Sequence, residues 1–283
     1  IAMSDWSSDV CSSDLMNRSE IFLVMVSGMG TIAGSVMGTY IGMLGGTDPA
    51  AKVLFATHLL SASVMAVPGS IVLAKMLCPQ TEEATDHVAI SGKEKENSNI
   101  LDAISSGTVT GVKLMTNIAA MLLVFISLVA LANYITEGVI GRYTGLNDWI
   151  VKITDGKAQG LTFQFILGVI TSPFMWLIGV PSQDIMLVGS LLGQKTILNE
   201  FVAYFQLQQW KDAGLFMYEK SILMSTYILC GFANISSIGI LLGGLGVLAP
   251  EKRGLISRIG VPAMIGGALV SVLSATIIGM ILG

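Results

Sequence analysis

Long apolar segments alternate with short polar connectors along this chain. Apolar residues dominate positions 19–44, 53–77, 114–135, 161–180, 184–207, 221–248 and 256–282. A helix needs about 20 predominantly apolar residues to cross a bilayer, and most of these segments reach that length. The stretch 101–135 is too long for one ordinary span, so its first third is interpreted as an amphipathic interfacial segment. The pattern predicts an all-α polytopic membrane protein.

Several apolar segments contain small, polar or helix-breaking residues. Segment 19–44 is interrupted over Gly28–Ser35, and segment 221–248 is interrupted over Gly231–Ser237. Pro68 should kink or break its span, and Pro173 should break another. Paired interrupted segments are typical of inverted-repeat transporters, with the binding site between the two interruptions.

Residues 181–209 form two apolar arms around the polar tip Leu198–Tyr204. The arms are too short for two full crossings, which predicts a re-entrant helical hairpin. Glu200 lies in this tip, and an acid at membrane depth usually faces a cavity on a substrate or ion path. The alternative is structural: Glu200 caps a half-helix or pairs with Lys195. Asp184, before the first arm, is interpreted as interfacial or structural.

Composition supports a membrane protein and excludes several other classes. Hydrophobic residues make up 53% and charged residues 12%, mean hydropathy is +0.74 and the net charge is −4. No basic stripe indicates nucleic acid as a partner, and no cofactor motif is present. The cysteines and histidines lack the spacing of a metal site or a disulfide framework. They are Cys11, Cys78, Cys230, His58 and His87.

Polar connectors bear on orientation. The charged connector 78–99 must lie in water, and the polar link 143–160 joins two apolar segments. Loop 249–258 is the most basic short loop, so the positive-inside rule places it in the cytoplasm. Lys75 and the mixed connector give a conflicting tally.

The first fifteen residues differ from the rest. They are rich in Ser and Asp, lack the apolar core of a signal peptide, and resemble translated sequencing-adapter read-through. We therefore expect the transmembrane domain to comprise residues 16–283 and to begin in the middle of a longer protein.

Specific motifs in the second half of the chain resemble the concentrative nucleoside transporter family. The resemblance extends from about Met16 to the end of the chain, and two long motifs carry most of it. They are Leu198-Asn199-Glu200-Phe201-Val202-Ala203-Tyr204 and Cys230-Gly231-Phe232-Ala233-Asn234-Ile235-Ser236-Ser237. Thr31-Ile32-Ala33-Gly34-Ser35-Val36 is a shorter match.

This resemblance implies a homotrimer in the plasma membrane, for a bacterium the inner membrane. It would use a cation gradient, usually of Na⁺, to take up nucleosides such as uridine, cytidine or adenosine by alternating access. The implied substrate contacts are Glu200, Asn234 and Ser237 for ribose, Phe232 as packing aromatic and Val36 for the base. The implied half of a sodium site is the Thr31 hydroxyl and the Ile32 carbonyl.

The family's first hairpin, with its base-reading Gly-Gln-Thr/Ser-Glu motif, has no counterpart in this sequence. We therefore expect a fragment that is inactive by itself.

Other interpretations remain open on the residues alone. Asn234 and Ser237 could be interhelical glue, Phe232 could be core packing, and Thr31 could bond the carbonyl four residues before it. The coupling ion could be H⁺. Two different functions, an intramembrane enzyme with Glu200 as general base and a channel, are the alternatives to transport.

Overall fold

The described part of the chain is helical and contains no strand. A computed structural model describes residues 16–81, 100–154, 156, 158–248 and 250–283. The adapter-like residues 1–15 and most of the charged connector, 82–99, lie outside this range. The chain divides into two compact units, one of residues 1–85 with 164–283 and one of residues 86–163.

Twelve α-helices follow in chain order among the described residues. They are α1 (Arg18–Gly30), α2 (Gly34–Gly45), α3 (Pro49–Leu77), α4 (Ile100–Asn133), α5 (Arg142–Thr144), α6 (Leu146–Ile153), α7 (Phe163–Leu177), α8 (Ile185–Ile197), α9 (Glu200–Asp212), α10 (Glu219–Leu229), α11 (Ile235–Leu248) and α12 (Arg253–Ile281). A π-helix, Tyr134–Gly141, follows α4, and a 3₁₀ turn, Pro250–Lys252, precedes α12. The all-α fold class is thereby confirmed.

Helix α3 and helix α12 are each long and apolar enough to cross a membrane. Shorter apolar helices lie within α2, α7, α8 and α11. Because α1–α2 and α10–α11 are each one apolar segment in two pieces, length alone underestimates the membrane-embedded part of this fold.

The expected helix break at Pro173 is wrong, because α7 continues through this residue. Helix α3 also continues through Pro68, so of the two expected alternatives, a kink or a break, the break is excluded. A proline removes one backbone hydrogen bond, and neighbouring helices and side chains can compensate for it in a membrane bundle. Helix α4 is a single helix of 34 residues, and α6 lies inside the polar link 143–160.

Helix α12 is the centre of the first unit and packs against α1, α3, α10 and α11. Its glycines allow this close approach, because side chains of the neighbouring helices lie where their β-carbons would be. Gly266 faces Val26 and Gly267 faces Met29, so α1 runs in the same direction as α12. Gly279 faces Met224 and Gly260 faces Ile238, so α10 and α11 run in the opposite direction.

The two broken helices are therefore antiparallel, and their breaks meet. Gly231 has a φ of 145°, which L side chains rarely adopt. A β-carbon at this position would lie 3.0 Å from the carbonyl oxygen of Gly30, the last residue of α1. This opposed arrangement is what the paired interruptions in the sequence predict.

Side-chain caps fix where several helices begin. Asn17 and Glu20 form a capping box at α1, and the Asp48 carboxylate accepts from Ala50 N and Ala51 N at α3. Asp184 is buried and accepts hydrogen bonds of 3.1–3.2 Å from the backbone N–H groups of Met217 and Tyr218. Asp184 therefore ties the start of α8 to the segment before α10, in agreement with a structural role.

Two asparagines form bridging hydrogen bonds in the described part of the second unit. Asn133 Oδ1 accepts from Phe163 N at 2.7 Å. Asn147 Nδ2 donates to Glu137 O, and its Oδ1 accepts from Leu161 N, both at 3.0 Å. These bonds close the chain between the π-helix and the start of α7.

Candidate functional site

Glu200 is the first residue of α9 and directly follows the two-residue turn Leu198–Asn199 between α8 and α9. Two helices joined by a short turn occupy the region where the sequence predicts a hairpin. Asn199 caps α9 by accepting from Val202 N at 2.9 Å. The positive end of a helix macrodipole favours a negative charge, so this position suits a carboxylate.

The Glu200 carboxylate is 3% exposed and has two side-chain donors. Asn234 Nδ2 donates to Oε2 at 3.0 Å, and the Tyr40 hydroxyl donates to Oε1 at 3.3 Å. The donors come from the second break and from α2, so the carboxylate joins the hairpin to both broken helices. Hydrogen bonds to a charged acceptor are the stronger kind.

Asn234 is fully buried and caps α11 at the second break. Its Oδ1 accepts from Ser237 N at 2.9 Å and from the Ser236 hydroxyl at 2.6 Å. The Ser237 hydroxyl lies 3.0 Å from the same oxygen and donates to the carbonyl of Phe232. The Asn234 amide oxygen thus binds groups of the break itself, and the amide nitrogen donates to Glu200.

Aromatic and apolar side chains border the carboxylate. The Tyr40 ring stacks on Tyr204 with centroids 4.1 Å apart and lies 6.3 Å from the ring of Phe201. Val36 precedes Tyr40 by one helical turn, so both share one face of α2, and Val36 packs against the same apolar cluster. Phe232 is half-buried, as is Val36.

Thr31 and Ile32 lie at the first break. The Thr31 hydroxyl donates to Ser27 O at 3.0 Å, as the structural interpretation expected, and its oxygen lone pairs remain able to accept. The described residues place no hydrogen-bond donor on the Ile32 carbonyl. Hydroxyl and carbonyl oxygens suit a hard cation such as Na⁺, and no cluster of His, Cys, Asp or Glu among the described residues suits a transition metal.

The structure brings the sequence-predicted residues into one region, in two groups. Glu200, Asn234 and Ser237 form one hydrogen-bonded network, with Phe232 at its carbonyl. Val36 lies one helical turn before Tyr40, whose hydroxyl donates to Glu200 in this network. Thr31 and Ile32 lie at the other break, one residue beyond the Gly30 carbonyl that approaches Gly231.

Sequence reasoning missed Tyr40 as a Glu200 partner and considered Lys195 as one only in the structural alternative. The helical spacing of Val36 and Tyr40 was the available signal for the tyrosine. Lys195 forms no ion pair with Glu200 within 4.0 Å in the described structure. It is fully buried, and its Nζ donates to Ile228 O at 2.7 Å and to the Ser271 hydroxyl at 3.0 Å.

Comparison with known proteins gives a family-level match. The family described as "Na+ dependent nucleoside transporter C-terminus" matches residues 58–279. A nucleoside permease, NupC, of Helicobacter pylori is 36% identical over 270 residues, which cover 95% of this chain and 59% of the permease. Sodium/nucleoside cotransporter 1 of Rattus norvegicus is 38% identical over 280 residues, covering 94% of this chain and 40% of the cotransporter.

A solved structure has the same fold. It is described as CNTnw in an inward-facing substrate-bound state, and it superposes with a TM-score of 0.75 at 34% identity. The match covers 95% of this chain and 58% of that chain. The chain thus spans about three fifths or less of the length of these relatives.

Proposed function

Since the chain belongs to the concentrative nucleoside transporter family, we propose that the whole protein takes up nucleosides by cation-coupled secondary active transport. The family consists of transporters rather than enzymes, so the substrate is moved without chemical change. Binding of nucleoside and cation would close the site, which then opens to the other face of the membrane.

The observation that carries this proposal is the Glu200 carboxylate at the hairpin tip. It is buried, it has no cationic partner within 4.0 Å in the described structure, and Asn234 and Tyr40 donate to it. A ribose has vicinal hydroxyls that can each donate to a carboxylate and accept from an amide. We assign Glu200, Asn234 and Ser237 to ribose, with Phe232 and Val36 on the apolar side of the nucleoside.

Na⁺ is the coupling ion we favour, with the Thr31 hydroxyl and Ile32 carbonyl as part of its site. Their oxygens lie at a helix break, where freed carbonyls can bind a cation. The family description and the rat cotransporter name sodium, which supports this choice. Uptake that persists when choline replaces Na⁺, and that responds to a pH gradient, would instead favour H⁺.

Further expectations concern the whole protein. We propose a multi-pass protein of the bacterial inner membrane, assembled as a homotrimer. Purine and pyrimidine nucleosides are both candidate substrates, and competition by uridine, cytidine and adenosine would rank them.

Glu200→Gln in the full-length protein tests the ribose assignment. We expect nucleoside affinity to fall about a hundredfold, because the neutral amide weakens two charge-assisted bonds. Uptake of radiolabelled uridine into cells that lack their own nucleoside permeases measures the effect. Glu219→Gln is the matched control, since Glu219 is an exposed acid at the start of α10 and its substitution should leave uptake unchanged.

Normal affinity in Glu200→Gln would contradict the ribose assignment. Two measurements separate the other functions. Accumulated nucleoside that is chemically altered would indicate an enzyme, and a current that does not saturate with nucleoside concentration would indicate a channel.

A further inference from the structure

Lys195 is a fully buried cation that the nucleoside and cation assignments above do not use. It lies in the last turn of α8, before the hairpin tip, and its side chain is 0% exposed. An ammonium at membrane depth is costly unless its hydrogen bonds are satisfied. Its two acceptors, Ile228 O and Ser271 Oγ, both belong to the neighbourhood of the second break.

The end of α10 shows what the ammonium does there. The last carbonyls of a helix have no partner within the helix and need caps. Thr226 O accepts from the Tyr204 hydroxyl at 2.8 Å, and Tyr227 O accepts from Cys230 N at 3.1 Å. Ile228 O accepts from Lys195 at 2.7 Å. Two of these three caps come from the hairpin, and one of them is a full positive charge at the negative end of the helix.

Ser271 extends the contact to the break itself. Its hydroxyl accepts from Lys195 and donates to Cys230 O at 2.8 Å. The Lys195 ammonium therefore contacts Ile228 O directly and Cys230 O through the Ser271 hydroxyl. A β-carbon at Gly231 would lie 2.8 Å from the same Ser271 oxygen. Ser271, which accepts from Lys195, therefore lies against the backbone at Cys230 and Gly231, three residues before Asn234.

We propose that Lys195 is a positioning residue for nucleoside binding, a covalently attached cation that holds the second helix break so that Asn234 meets Glu200. This inference rests on the proposed function. The two breaks then differ in the cation they bind. At the first break, Thr31 and Ile32 offer oxygens to an exchangeable ion. At the second break, the cation is the Lys195 side chain of the hairpin.

Ser271 provides the mildest test. Ser271→Ala in the full-length protein removes the relay from Lys195 to Cys230 O and keeps the ammonium on Ile228 O. We expect the half-saturation constant for uridine to rise about tenfold at an unchanged maximal rate, the effect of losing one hydrogen bond linked to a charge. Ser274→Ala is the matched control, because Ser274 is also buried on α12 and, among the described residues, its hydroxyl donates to Val270 O of its own helix.

A purely structural role would instead lower the melting temperature and the maximal rate and leave the half-saturation constant unchanged. Lys195→Met should weaken uridine binding more than Ser271→Ala, and Lys195→Arg should recover part of the loss because it retains the charge. If Lys195→Met does not fold, the serine pair alone decides.

Equal half-saturation constants for Ser271→Ala and Ser274→Ala would overturn the role of Lys195. That result is distinct from a failure of the proposed function. A wild-type protein that takes up no nucleoside contradicts the function, whereas wild-type uptake with equal serine variants contradicts only this inference.

Discussion

A single carboxylate connects three elements of this protein that are far apart in the sequence. Tyr40 and Asn234 are 160 and 34 residues away from Glu200, yet both donate to it. Their hydrogen bonds orient the two oxygens before a substrate arrives. Preorganised partners reduce the cost of binding, because less ordering remains to be done when the ligand enters.

Tyr40→Phe isolates one of these bonds. The ring can stay stacked on Tyr204, so the substitution removes only the hydroxyl that donates to Glu200 Oε1. We expect uridine to bind about threefold to tenfold more weakly, since one bond to a charged acceptor is lost at a long distance of 3.3 Å. Equilibrium binding of uridine to the purified full-length protein measures it.

Tyr218→Phe serves as the control, because Tyr218 is 45% exposed and precedes α10. Unchanged uridine affinity in Tyr40→Phe would mean that this hydroxyl does not orient the carboxylate.

At the level of single residues, the sequence could indicate Glu200 because an acid in an apolar segment is rare. It could not indicate Tyr40 as its donor or Ile228 O as the acceptor for Lys195. A tyrosine in an apolar helix is ordinary, and a backbone carbonyl leaves no mark in a sequence. The structural alternative, an ion pair between Lys195 and Glu200, is not formed, because the Lys195 ammonium donates instead to Ile228 O and to the Ser271 hydroxyl.

Gly231 decides whether the two broken helices can meet. Any side chain there would have to adopt a φ of 145° and would approach both Ser271 Oγ and Gly30 O. We expect Gly231→Ala to destabilise the protein by about 1–3 kcal/mol for the backbone conformation alone, with the steric overlap adding to this. The melting temperature of the purified protein measures the change.

Gly239→Ala is the matched control in α11, where a β-carbon would meet nothing within 4 Å. That variant should be neutral or slightly stabilising, because alanine favours helix more than glycine does. Equal melting temperatures for the two variants would contradict a close contact between the breaks.

The sequence predicted helix breaks well where polar or small residues clearly interrupt an apolar segment. Both broken helices and the two-helix hairpin region lie where small and polar residues interrupt apolar segments. Proline was a poor guide, since α3 and α7 continue through Pro68 and Pro173. Membrane bundles tolerate proline where neighbouring groups satisfy the freed carbonyl, and a single sequence does not show those neighbours.

One end of the first unit carries several basic residues. Arg18 and Arg258 border the same cleft as Leu77 and Cys78, and Lys75 donates to Ser19 at 3.0 Å. The start of α1, the end of α3 and the start of α12 therefore share one end. In the sequence, Lys75 counted against the orientation that the basic loop predicts. In the structure, Lys75 lies at the same end as the basic loop before α12, so it supports the same orientation.

This basic end should face the cytoplasm. A single cysteine replacing exposed Ser257 in an otherwise cysteine-free full-length protein should react with a membrane-impermeant maleimide only in inside-out vesicles. A single cysteine replacing exposed Ala213, at the opposite end beyond α9, should react only in right-side-out vesicles. The reverse labelling pattern would show that the orientation is inverted.

The partners of the hairpin also set an order of events during biosynthesis. The hairpin carries Lys195 and Glu200, each unfavourable for transfer from the translocon into lipid by about 2.5–3.5 kcal/mol at a helix centre. Three of the groups that compensate them are made later: Ile228, Asn234 and finally Ser271, 76 residues after Lys195, whereas Tyr40, the other donor to Glu200, is made earlier. We therefore expect the hairpin to reach its buried position only after α12 has been synthesised.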